Sequence, residues 1–119
     1  MAEREVRIAR TEALFRDVNE RIAESAGRFS ARDAEFVCEC ADPACAERVP
    51  ATLEQYEEVR SVGTHFLLTP GHEITEVERV VKRPHRKIVV VEKFNSVVAA
   101  TVRRLNPRAG TASPSTPAR

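Results

Sequence analysis

Tryptophan is absent from this chain of 119 residues, and aromatic side chains make up only 5% of it. Large core anchors are therefore few. One domain is expected at this length, and a small, aromatic-poor core is the situation in which a metal staple becomes useful. The opening residues, Met1-Ala2-Glu3-Arg4-Glu5, contain no apolar h-region, so no secretory leader is expected. The most hydrophobic run, Ile88 to Val91, is stopped by Glu92 and Lys93, far short of the ~20 apolar residues a membrane span needs. A cytoplasmic, reducing setting without membrane contact is the expectation, and it favours thiolates over disulfides. There is no P-loop, dinucleotide loop or nucleophile elbow, and no internal repeat. The deaminase pattern of His-x-Glu with Pro-Cys-x-x-Cys is missing as well.

What the chain does have is concentrated. All three cysteines fall within eight residues, in Phe36-Val37-Cys38-Glu39-Cys40-Ala41-Asp42-Pro43-Ala44-Cys45. Zinc takes four ligands in a tetrahedron, which sets neighbouring sulfurs a little under ~4 Å apart. Residues two apart on a strand share a face, so Cys38 and Cys40 can converge on one ion. Asp42-Pro43 suits a turn that brings Cys45 back to them. A disulfide fits less well: Cys38 and Cys40 would close a very tight ring, and an odd count leaves one thiol over. Cysteines are often buried as small hydrophobes, but three so close in a charged segment do not resemble a core.

The fourth ligand is read as His72. Pro70-Gly71 predicts a type II turn that would hold the ring at a defined angle, with Glu73 accepting the imidazole's other N–H from outside the coordination sphere. His65 sits in the apolar run Phe66-Leu67-Leu68 and is expected to pack. His85 lies in the basic turn Arg83-Pro84-His85-Arg86-Lys87 and is expected to be solvated. Asp42 and His65 remain open as alternatives to His72.

The formal net charge is only +1, but its distribution is lopsided. Residues 1–78 carry 9 Lys+Arg against 17 Asp+Glu, whereas 79–119 carry 10 against 1. The two parts should attract on folding, or the basic part could reach an acidic partner.

Periodicity predicts an amphipathic helix over 3–26, with Ile8, Thr11, Phe15, Val18, Ile22 and Ala26 on one face. Glu12–Arg16 and Asp17–Arg21 are spaced as i,i+4 pairs, and Gly27 is a natural stop. This helix either covers a sheet or forms a homodimer seam. Residues 35–40 read as a strand delivering the first two cysteines. Thr52 is a good N-cap for a helix over 53–60 with Leu53, Tyr56, Val59 and Arg60 inward. Strands are expected over 65–69, 76–82 and 87–93, the last two as a hairpin whose basic residues blunt an edge. Asn95 or Ser96 caps a short helix through Val98, Val102 and Leu105. The expected fold is α+β: a long N-terminal helix packed on a small, mostly antiparallel sheet with a metal-binding knuckle (38–72). Residues 1–105 form the domain, and 106–119 read as a disordered tail.

Together the cysteine stretch, the run from Ala51 to Arg60, Pro70-Gly71-His72-Glu73 and Val89-Val90-Val91-Glu92-Lys93 resemble a family of small uncharacterised cytosolic proteins of high-GC bacteria. The likeness covers roughly residues 3–94, and Cys-x-Cys-x4-Cys followed by Gly-His-Glu is its most specific part. It implies an architecture and a cytosolic setting but no activity.

The expected function is a small zinc-stabilised regulatory or protein-interaction module with a protein partner. An alternative is nucleic-acid binding through Lys82, Arg83, Arg86 and Lys87, with Arg103 and Arg104, near the transcription machinery. No aromatic platform accompanies those cations. Another is a thiol redox sensor or a zinc enzyme with Glu73 as base; four protein ligands would close the coordination sphere against the latter.

Overall fold

The structure, a computed structural model, describes residues 2–108. Helix α1 (Glu3–Arg28) leads into strands β1 (Asp33–Val37) and β2 (Arg48–Thr52), helix α2 (Leu53–Arg60), and strands β3 (His65–Leu68), β4 (Glu78–His85) and β5 (Ile88–Lys93). Helix α3 (Ser96–Arg104) follows. The fold is α+β, with two small antiparallel sheets in place of the single sheet expected: a β1–β2 pair and a three-stranded sheet in the order β3-β5-β4. Strand β2 escaped the sequence reading because Pro50 interrupts its pattern. A proline is tolerated there because β2 pairs with β1 alone and is an edge.

Strand β5 is central, and Ile88, Val89, Val90 and Val91 are all buried. A continuous apolar run, not an alternating one, is what a strand covered on both faces requires. The β4–β5 hairpin forms as expected, and β4 is an edge strand carrying exposed Lys82 and Arg83. Thr52 caps α2 through a full capping box: its hydroxyl accepts from the Gln55 amide while Gln55 returns a bond to the Thr52 amide, both at 2.9 Å. Asn95 caps α3 by accepting from the amides of Val97 and Val98. Phe36 and Tyr56 stack with ring centroids 4.6 Å apart.

Helix α1 departs from expectation at its end and around its axis. Gly27 does not stop it. The left-handed residue is Ser30 (φ 58°), and the amides of Ala31 and Ser30 return to the carbonyls of Ala26 and Gly27. That is a Schellman cap with serine where glycine is usual.

The inward face of α1 is Ile8, Ala9, Glu12, Ala13, Arg16 and Asn19. Thr11, Phe15, Ile22 and Ala26 are only half-buried, and Val18 is exposed. Glu12 and Arg16 do not form the surface pair their spacing suggested; they reach Lys93 and Glu39 instead. Periodicity assumes that charges face water, and here buried partners on other elements reverse that.

The charge asymmetry acts within the fold. Cations of the basic part meet acids of the acidic part: Lys93 pairs with Glu12 and Glu78, Lys82 with Glu58, and Arg108 with Glu20 and Glu57. Residues 106–108, expected to belong to the tail, are held against the domain. Asn106 accepts from Arg60 at 2.7 Å and Arg108 grips Glu57 with both guanidinium nitrogens. Arg60 thus anchors Asn106, and Glu20 and Glu57 anchor Arg108. Residues 109–119 lie outside the described residues.

Candidate metal centre

The loop between β1 and β2 is the knuckle. Strand β1 ends at Val37, so Cys38 and Cys40 lie just beyond it, not on it as expected. The Cys38 amide donates to the Glu47 carbonyl at 3.1 Å, closing the neck of the loop, and the Glu39 amide donates to Leu67 on β3 at 2.8 Å. Asp42-Pro43 makes the anticipated turn, with Cys45 N–H donating to the Asp42 carbonyl at 3.0 Å. The Asp42 carboxylate accepts from the Ala44 amide at 2.9 Å, which makes it a brace for the turn.

On the other side, β3 runs into Pro70-Gly71. Gly71 has φ 93°, and the His72 amide donates to the Thr69 carbonyl at 3.1 Å, the pattern of a type II turn. No side chain other than glycine adopts that φ cheaply. The turn aims Nδ1 of His72 at the knuckle, 3.6 Å from the sulfurs of both Cys38 and Cys45. One ligand atom each from Cys38, Cys40, Cys45 and His72 lies within 4.8 Å of all the others. Four tetrahedral ligands with zinc-type bond lengths would be separated by about 3.6 Å (N to S) and about 3.8 Å (S to S). The cluster is thus close to the size of one coordination sphere.

Cys38 and Cys40 are 1% and 2% exposed, while Cys45 and His72 are half-buried; Cys40 and His72 border a shallow surface hollow. The Thr69 amide donates to Sγ of Cys38 at 3.2 Å. The Cys40 thiol and this amide hold the Cys38 thiol below its ordinary value despite burial. Cys40 is pushed up by its bond to Cys38 and by burial, and Cys45 chiefly by burial. Three sulfurs this close cannot all be thiolates by themselves. A dication among them removes that conflict.

His65 is half-buried, with its ring held below its ordinary pKa by burial, and it does not belong to the cluster. His85 is exposed, its Nδ1 accepting from the Lys87 amide. Glu73 is placed differently from the sequence reading: its Oε1 accepts from the Gly71 amide at 3.0 Å and so braces the turn rather than the ring. Lys82, Arg83, Arg86 and Lys87 are all exposed on the β4–β5 hairpin, and Lys82 pairs with Glu58 at 2.7 Å. Arg103 and Arg104 are exposed in the last turn of α3.

Sequence reasoning missed what holds the knuckle from behind. Glu39, between two cysteines, is fully buried. Its carboxylate accepts from Arg16 at 3.2 Å, from Asn19 at 2.9 Å and from the Leu67 amide at 3.0 Å. Asn19 also exchanges two hydrogen bonds with the Val37 backbone, and Arg16 lies over the Phe66 ring at 3.6 Å. The signal was present: if Cys38 and Cys40 share one face, the residue between them points to the other.

Comparison with protein-family models, curated proteins and solved structures gave no match. No helix among the described residues is long and apolar enough to cross a membrane.

Proposed function

We propose that the knuckle and the His72 turn bind one zinc ion, and that the chain is a small zinc-stabilised regulatory or protein-interaction module. The carrying observation is the convergence of three sulfurs and one ring nitrogen within 4.8 Å, from two loops far apart in the chain. Thiolates and imidazole suit zinc, and a donor set of four protein groups is the closed arrangement of structural sites. No open position would remain for a substrate, which weighs against a zinc enzyme. Zinc binding to small structural sites is worth roughly 10–16 kcal/mol at neutral pH, comparable to the whole stability of a small domain at roughly 5–15 kcal/mol. The metal would thus hold the β1–β2 loop against the end of β3.

Elemental analysis of anaerobically purified protein should find one zinc per chain. Cys38→Ser, Cys40→Ser and Cys45→Ser should each lose metal, and a chelator should lower the unfolding midpoint of the native chain. Native protein that carries no metal, and whose unfolding a chelator leaves unchanged, would refute the proposal.

Nucleic-acid binding keeps one supporting observation, the exposed Arg83, Arg86 and Lys87 on the hairpin. Lys82, however, already has an acidic partner. Binding to DNA or RNA that weakens steeply with salt is the signature to seek.

A further inference from the structure

Helix α1 turns charged and polar side chains into the core and leaves an apolar row outside. Leu14 is 61% exposed, Val18 40% and Phe29 79%, with Phe15 and Ile22 half-buried beside them. Thr11, Phe15, Val18, Ile22, Ser25 and Phe29 alternate steps of four and three, the spacing of a two-helix seam. Val18, Ile22, Ser25 and Ala26 border a shallow concavity of about 550 Å³ that Ala34 of β1 closes on one side. The seam is nearly three heptads long and its polar flank alternates in sign: Arg10, Asp17, Arg21, Glu24 and Arg28 are all exposed.

We propose that this face binds a second copy of the chain, with the two α1 helices antiparallel across a two-fold axis near Val18. A two-fold contact must be self-complementary, and the flank is so in this direction only. With residue numbers summing to about 36 across the axis (an order-of-register estimate from helix geometry), Val18 meets Val18 and Leu14 and Phe15 meet Ile22. Asp17 then lies beside Arg21 of the second copy, and Glu24 beside Arg10. A parallel arrangement would set this flank against Asn19, Ala23 and Ala26 of the second copy, which offer no exposed charge. The inward face stays on its own domain, so dimerisation requires no rearrangement of the core.

The test is the solution mass of the full zinc-loaded chain by light scattering and sedimentation equilibrium. The expected mass is twice the 13.3 kDa of one chain. Leu14→Glu and Val18→Glu, both at exposed positions, should each give a monomer with unchanged circular dichroism and zinc content. Asp17→Arg should weaken the dimer, and adding Arg21→Asp should restore it. A wild-type chain that remains monomeric at its highest soluble concentration overturns the proposal. So does a dimer that survives both glutamate substitutions, or a double charge swap no tighter than the single one.

Discussion

Glu39 and Arg16 meet at 3.2 Å with both side chains out of contact with water. This ion pair fastens the segment carrying Cys38 and Cys40 to the long helix. A buried pair contributes little net stability over an apolar substitute, but removing one partner strands the other charge. Its consequence is positional: Glu39 faces the core so that the sulfurs on either side of it face the His72 turn.

Glu39→Ala should therefore destabilise the zinc-loaded protein by about 3–5 kcal/mol, the range for a broken buried pair. Asn19→Ala, which leaves the pair but removes the bonds to Glu39 and Val37, should cost about 1–3 kcal/mol. Denaturant midpoints at saturating zinc measure both. A loss below 1 kcal/mol for Glu39→Ala would mean that the pair does not hold the knuckle.

Lys93 sits between the carboxylates of Glu12 and Glu78 in the core. Burial, countered by Lys93 and reinforced by Glu78, raises Glu12 from its ordinary 4.5 to about 7. The folded state therefore holds this proton more tightly than the unfolded state does. The group favours folding most below pH 4.5, and its contribution is lost as pH rises from 4.5 through about 7. Glu12→Gln should remove that decline. Since protonation of the thiolates acts in the opposite direction, the informative quantity is the difference between wild-type and variant stability across pH 5–8 at saturating zinc. A difference that is flat over that window contradicts the assignment.

Ser30 occupies a left-handed position that glycine adopts without a Cβ penalty. Ser30→Gly should raise stability by about 0.5–1 kcal/mol, seen as a higher unfolding midpoint with unchanged zinc content.

Gly71 poses the converse case. Apart from its two chain neighbours, nothing lies within 4 Å of where its Cβ would be, so backbone strain at φ 93° is what opposes a side chain. Gly71→Ala should cost about 1–3 kcal/mol. Because the turn aims His72, it should also weaken metal binding, measurable by competition with a chromogenic chelator. Stability lost with metal affinity intact would separate the turn from the site.

Local chemistry was legible where it acts locally. The Thr52 cap, the Asn95 cap, the Asp42-Pro43 turn, the Pro70-Gly71 turn and the buried β5 run depend on residues within a few positions of one another. So does the gathering of Cys38, Cys40 and Cys45. Even His72 could be placed, because a turn with a positive-φ glycine leaves its next residue few directions. Strand β2 was hidden by Pro50, which an edge strand tolerates where its N–H side would face away from the partner.

Tertiary structure decided which face of α1 turned inward. Read alone, the helix offers an apolar row and a charged row, and burial of the apolar row is the cheaper assumption. Lys93, 81 residues from Glu12, and Glu39, 23 residues from Arg16, reverse the choice by supplying partners that make buried charge tolerable. No local pattern announces such partners, because the interaction exists only once distant strands have brought them to the helix. The amino-acid order thus determines the knuckle, the caps and the turns, whereas the assembled fold determines what lies behind the cysteines and what remains exposed on α1.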